Sequence, residues 1–210
     1  MKILALGAHA DDVELGCGGT LIKHVRRGDE VTVYVLTDSA FMNVDGQVVR
    51  EREECLRQAG RAAEMIGARL IVGDFPTNNV LFDEDLVKAL RRVLEKDGFD
   101  LIYTHWTGDV HLDHANIARA TLSAARHVAS VLMYRSNWYL GDDIFAGRFF
   151  VDIGDVLEEK LALLKCYASE YERRGRDWVS WLKQTHALAG LQIGAAFAEA
   201  FEVVRYAHRI

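Results

Sequence analysis

The chain has 210 residues, 50% hydrophobic and 27% charged, with a formal net charge of -6. That is enough for a single domain over 1–210 with a full core, and the acidic balance argues against nucleic acid as a partner. No apolar run nears the roughly 18 residues that span a bilayer and the N-terminal one is too short for a secretion signal, so a cytoplasmic protein without a membrane partner is expected. Cys17, Cys55 and Cys166 are far apart and form no Cys-x-x-Cys pair, which argues against a disulfide framework or a cysteine zinc knuckle.

In chain order, residues 2–6 are a short apolar strand ending in the turn Gly7-Ala8-His9-Ala10-Asp11-Asp12. Apolar residues at three- and four-residue spacing predict a helix over 13–27, stopped at Gly28-Asp29. A strand over 31–36 leads into a loop at 39–47 and a helix over 48–66. A short strand at 70–72 precedes a helix over 83–96, whose apolar face is Leu86, Leu90, Val93 and Leu94. The strand at 101–104 is followed by a polar turn and a helix over 114–128, then a strand at 131–134 and a loop at 136–148. A strand at 149–153, helices over 155–173 and 177–196, and a strand at 201–205 complete the chain. Strands alternating with helices predict an α/β fold: a mostly parallel sheet with helices on both faces.

Two clusters of titratable side chains stand just past strand ends. His9, Asp11 and Asp12 follow the first strand; His111, Asp113 and His114 follow the strand at 101–104. In open α/β sheets this edge is where ligands bind. If the two strands are neighbours, both clusters open into one crevice. His9, Asp12 and one of the later histidines, His111 or His114, would then offer two nitrogens and a carboxylate, the three-ligand pattern of a catalytic zinc site. The same donors suit iron(II). Alone, the first cluster would read as a helix-capping turn; the second cluster tips the balance to a metal site.

The sequence Ala8-His9-Ala10-Asp11-Asp12-Val13-Glu14, with His111-Leu112-Asp113-His114 downstream, resembles the PIG-L / LmbE-like zinc de-N-acetylases, including the bacillithiol- and mycothiol-pathway deacetylases. Proline is usual in the family where Ala10 and Leu112 stand, and neither position supplies chemistry. Leu15 to Thr20, Leu36-Thr37-Asp38, the segment from Lys160 to Tyr171 and Ala198 to Glu202 extend the likeness over essentially the whole chain. The resemblance implies a Rossmann-like, LmbE-like fold and a hydrolase that removes an N-acetyl group from an amino sugar or its conjugate through a zinc-activated water. It implies His9, Asp12 and His114 as zinc ligands and Asp11 as general base. His111 is implied as a protonated electrophilic helper, with Asp113 holding its other nitrogen. Arg50 or Arg52 would contact substrate. A homo-oligomer, trimer or hexamer, is implied as well.

Two other readings stand beside this one. An amidase for a different N-acyl substrate, a thiol conjugate or an antibiotic intermediate, keeps the metal and changes the loops at 39–47 and 136–148. A non-catalytic metal-binding module would need no Asp11. The glycines from Gly16 to Gly19 lack a dinucleotide or phosphate-loop spacing and read as close helix–sheet packing, with Cys17 a small buried side chain. His105 and His186 are candidates to reach the crevice. Asn137, Trp138 and Tyr139, in the loop after the fifth strand, are candidates to meet a sugar ring.

Overall fold

The computed structural model describes residues 1–208. The chain runs β1 (Lys2–Gly7), α1 (Asp12–Arg26), β2 (Glu30–Thr37), β3 (Phe41–Met42), β4 (Val48–Arg50), α2 (Arg52–Ile66) and β5 (Arg69–Phe75). It continues with α3 (Glu84–Asp97), β6 (Leu101–His105), α4 (Leu112–Ala124), β7 (Ser130–Tyr134), β8 (Phe149–Asp152), α5 (Leu157–Leu163), a 3-10 turn (Leu164–Cys166), α6 (Ala168–Leu191) and β9 (Ala198–Arg205).

Seven strands form one sheet in the order β5-β2-β1-β6-β7-β9-β8. The first five are parallel, and β9 runs antiparallel to both β7 and β8. From β1 the chain winds outward through β2 to β5, then returns to place β6 on the other side of β1. That reversal opens a crevice past the C-terminal ends of β1 and β6. His9 and His105 stand at those two ends.

Central parallel strands are covered on both faces and read as continuous apolar runs, and β1 does. Ile3 and Ala5 pack into one core with α1, α2, α5 and α6; Leu4 and Leu6 pack into the other with α3 and α4, and none of the four is exposed. The glycines of α1 serve close packing as expected. A Cβ on Gly16 would lie 2.0 Å from the Tyr134 ring, whose hydroxyl donates to the Leu6 carbonyl at 2.6 Å. Glu199 and Lys160 form an ion pair with no solvent exposure on either side chain. Glu199 accepts from the backbone N–H of Gly19 and Thr20, and Lys160 donates to the Leu15 carbonyl. The two late sequence signatures therefore staple α5 and β9 to α1.

Two differences from expectation change which element a segment belongs to. The helix expected over 48–66 starts only at Arg52, because Val48–Arg50 pairs with Phe41–Met42 as a hairpin. Its turn is built on Asn43, whose side chain accepts from the N–H groups of Asp45 and Gln47, with Gly46 at φ +76°. The two late helices are expected to break near 174–176. They break at Leu164–Cys166 instead, and α6 runs unbroken through Gly175.

Candidate metal and acid-base site

The turn between β1 and α1 is fixed from several sides. Thr37 Oγ1 donates to the Ala8 carbonyl at 2.7 Å, and Ser39 Oγ accepts from Ala10 N–H at 2.8 Å. Asp11 occupies φ +117°, a region that costs a non-glycine residue about 1–3 kcal/mol and is characteristic of functional sites. Asp11 as a residue is 8% exposed, and its carboxylate receives Arg50 Nη1 at 3.2 Å. Arg50 also donates to the Ala10 carbonyl. The hairpin that replaced the expected helix start is what delivers Arg50 here. Arg52, in the first turn of α2, is exposed and takes no part.

The two motifs meet. His9 Nδ1 and His114 Nε2 face each other at 3.4 Å. The Asp12 carboxylate lies 3.4 Å from the first and 3.3 Å from the second. Each imidazole is held from behind: His9 Nε2 by Asp113 Oδ2 at 2.9 Å, and His114 Nδ1 by Asp109 Oδ2 at 3.0 Å. A carboxylate on one ring nitrogen fixes the N–H there and leaves the other nitrogen as a lone-pair donor, the usual support of a metal-ligating histidine. Ligand bonds of about 2.0–2.1 Å to a tetrahedral centre separate the ligand atoms by about 3.4 Å. The donor set of His9, Asp12 and His114 fits a divalent metal.

Two further combinations bring ligand atoms within 4.8 Å of one another: His9, His111 and His114, and Asp12, His105 and His114. In the second, His105 Nε2 is already engaged by Ala8 N–H at 2.9 Å. Its ring stacks on His114 with centroids 4.0 Å apart, so it packs behind the site. His111 also stacks on His114, at 4.3 Å, and meets His9 edge-on.

Asp113 does not hold His111 as the family resemblance implied. Its carboxylate is locked by the N–H groups of Asn78 (2.7 Å) and Val80 (3.0 Å) in the loop after β5, which turns it to His9. His111 Nδ1 is buried without a hydrogen-bond partner. The surroundings of His111 favour its neutral form. Burial, then the charges of His114 and His9, hold it down to about 4, and a metal cation at the same centre would act in the same direction.

The acid-base groups are pushed apart. Burial, reinforced by the Asp12 charge and opposed by Arg50, raises Asp11 to about 7. Burial would raise Asp12 too, but His114 and His105 hold it well below the usual carboxylate range. The surroundings thus drive two adjacent carboxylates apart, one toward the anion and the other toward titration near neutrality. A cleft of about 170 Å³, lined by His9, Asp11, Ser39, Phe41, Arg50, Thr77, Asn78 and His111, opens beside them.

The sequence reading missed Asp109, Ser136 and the pairing role of Asn137. Ser136 Oγ donates to Asp12 Oδ1 at 3.0 Å, and Asn137 Nδ2 donates to Asp109. Asp109 was detectable as a carboxylate two residues before His111 in the same turn. His186 lines a separate cavity with Trp181, Arg135 and Arg148.

Residues 4–125, more than half of the chain, match the family described as PIG-L, GlcNAc-PI de-N-acetylase. The chain belongs to that family. It is 27% identical to the diacetylchitobiose deacetylase of Thermococcus kodakarensis over 97% of this chain and 83% of that protein. Its fold is that of N,N'-diacetylchitobiose deacetylase from Pyrococcus horikoshii (TM-score 0.85, 18% identity, 97% of this chain and 83% of that one). It also matches GalB, a 4-carboxy-2-hydroxymuconate hydratase from Pseudomonas putida KT2440 (TM-score 0.81, 18% identity, 100% and 99%). One fold therefore carries two reaction types, so the fold alone does not assign the chemistry.

Proposed function

We propose that this PIG-L family chain is a metal-dependent N-deacetylase acting on an N-acetylated amino sugar or its conjugate. The observation that carries the reading is the convergence of His9, Asp12 and His114 beside a buried Asp11 that is not part of the ligand set. A binding module needs the first three; only a proton-transfer reaction needs the fourth. The diacetylchitobiose deacetylase relative supports an acetylated sugar as substrate.

In this reading His9, Asp12 and His114 hold the metal, zinc in preference to iron(II). Bound there, it would supply Lewis acidity toward a water and the amide carbonyl. Asp11 accepts the proton that the attacking water releases. Its elevated pKa makes it a base that can also return that proton to the departing amine. The amide C–N bond breaks, leaving acetate and a free amine. Neutral His111, on the wall of the cleft, donates a hydrogen bond to the carbonyl oxygen as negative charge develops there. Loss of one such donor costs on the order of 3 kcal/mol in the barrier. Asp113 acts by holding His9. Arg50 holds Asp11 and lines the cleft, where it can also meet a substrate hydroxyl.

The cleft of about 170 Å³ falls below the roughly 300–1,000 Å³ of pockets that enclose drug-sized ligands. One acylated ring fits this scale, with the rest of a conjugate outside. No helix among the described residues is long and apolar enough to cross a membrane. A cytoplasmic homo-oligomer, trimer or hexamer, is part of the proposal.

The test is acetate release from N-acetylglucosamine, diacetylchitobiose and sugar conjugates, run beside non-sugar N-acyl compounds and a hydratable carboxylated enol. Acetate from the sugars supports the reading. Turnover confined to the non-sugar amides favours the amidase alternative, and water addition to the enol without acetate release overturns deacetylation.

A further inference from the structure

Two consecutive residues just past the end of β7 support two different members of the ligand set, one directly and one through Asp109. Ser136 Oγ donates to Asp12 Oδ1 at 3.0 Å. Asn137 Nδ2 donates to both oxygens of Asp109, at 3.0 and 2.8 Å, and Asp109 Oδ2 meets His114 Nδ1 at 3.0 Å. The other Asp109 oxygen takes the backbone N–H of His111 at 2.8 Å. Ser136 and Asp109 are both buried.

The same asparagine organises the loop it heads. Asn137 Oδ1 accepts from Tyr139 N–H at 3.1 Å, and the Tyr139 carbonyl accepts from Arg135 at 2.8 Å. Trp138, between them, meets Trp181 of α6 edge-on, with centroids 5.8 Å apart. The first turn of the 136–148 loop and the back of His114 are thus parts of one hydrogen-bond network.

We propose that Ser136 and Asn137 are positioning residues for the metal centre, Ser136 setting the Asp12 carboxylate and Asn137 setting His114 through Asp109. The proposal rests on the reading of His9, Asp12 and His114 as ligands. Without Asn137, Asp109 keeps the His111 N–H on one oxygen but loses the donor shared by both, so the carboxylate behind His114 is held less firmly in angle. Without Ser136, Asp12 keeps the His9 N–H (2.7 Å) but loses the donor on its other oxygen.

The probe is zinc alone, titrated into metal-free protein against a chromophoric chelator, with near-ultraviolet circular dichroism as the check on folding. Asn137→Ala and Ser136→Ala are each expected to weaken zinc binding about tenfold to a hundredfold, the usual effect of removing groups behind a ligand. Asp109→Asn with Asn137→Ala should be no weaker than Asp109→Asn alone, because both act through one chain. Ser136→Ala with Asn137→Ala should show the product of the two losses, because they act on different ligands. Ser136→Thr, which keeps the hydroxyl, should restore affinity. Leu140→Ala, on the same loop and 87% exposed, should leave it unchanged.

Wild-type zinc affinity in folded Asn137→Ala and Ser136→Ala overturns the positioning role. Ser136→Ala removes a single hydroxyl and carries the test should Asn137→Ala fail to fold. Zinc binding is read without substrate, so zinc losses in the expected pattern with no acetate release overturn the proposed function and leave the positioning role. Failure of the wild type to bind zinc overturns both.

Discussion

His9 Nε2 and Asp113 Oδ2 lie 2.9 Å apart, although 104 positions separate the two residues in the chain. This contact crosses the crevice between β1 and β6 and fixes which nitrogen of His9 faces the site. It also ties the site to the loop after β5, through the Asn78 and Val80 N–H groups on the same carboxylate. Asp113→Asn keeps an acceptor oxygen but loses the charge, and should weaken metal binding about tenfold to a hundredfold. Asp113→Ala should do the same and in addition lower thermal stability, because two backbone donors lose their partner at about 1–3 kcal/mol each if left unsatisfied. Chelator competition and thermal denaturation separate the two effects.

Asp11 is expected to set the acid limb of the pH profile. With its pKa raised to about 7 by burial, kcat/KM should rise as pH passes through that region and the carboxylate becomes a base. Arg50 favours the charged form from 3.2 Å. Arg50→Ala should therefore move the limb to higher pH, while Arg52→Ala leaves it in place. A limb that stays put in Arg50→Ala would remove Asp11 as the titrating group.

Gly16→Ala should destabilise the fold. The added Cβ would lie 2.0 Å from the Tyr134 ring, and overpacking of this kind costs about 1–3 kcal/mol, or roughly 2–4 °C of Tm per kcal/mol in a chain of this size. Gly60, inside α2, has nothing within 4 Å of its Cβ position. Gly60→Ala should raise stability by up to about 1 kcal/mol. Denaturant melts of the pair test whether the α1 glycines serve packing.

Much of this site was legible because each motif is local. His9, Asp11 and Asp12 sit within one turn, His111, Asp113 and His114 within another, and alternating strands and helices brought both turns to one sheet edge. The partner of Asp113 was not legible, since it depends on how the loop at 76–80 crosses over α4. Asp109 passed as an ordinary turn residue because its partner Asn137 comes from the loop after β7. The β3–β4 hairpin was hidden because Val48 and Val49 continue the apolar period of α2. The break at Leu164–Cys166 was hidden because Leu161, Leu163 and Leu164 stay apolar through it, and the expected gap at 174–176 lies inside α6.

Removing one partner of the Lys160–Glu199 pair should cost about 3–5 kcal/mol, because it strands the other charge in the interior. Glu199→Ala also strips the acceptors from Gly19 and Thr20 N–H, so it should lie at the upper end. Equilibrium unfolding of Lys160→Ala and Glu199→Ala gives the order directly.

The most direct test of the account is metal content and acetate release measured together on wild type and Asp11→Asn, with diacetylchitobiose as substrate. The account predicts about one metal per chain in both proteins and acetate release in the wild type alone. Wild-type acetate release from Asp11→Asn, or a wild-type chain that holds no metal after zinc is added back, would contradict it.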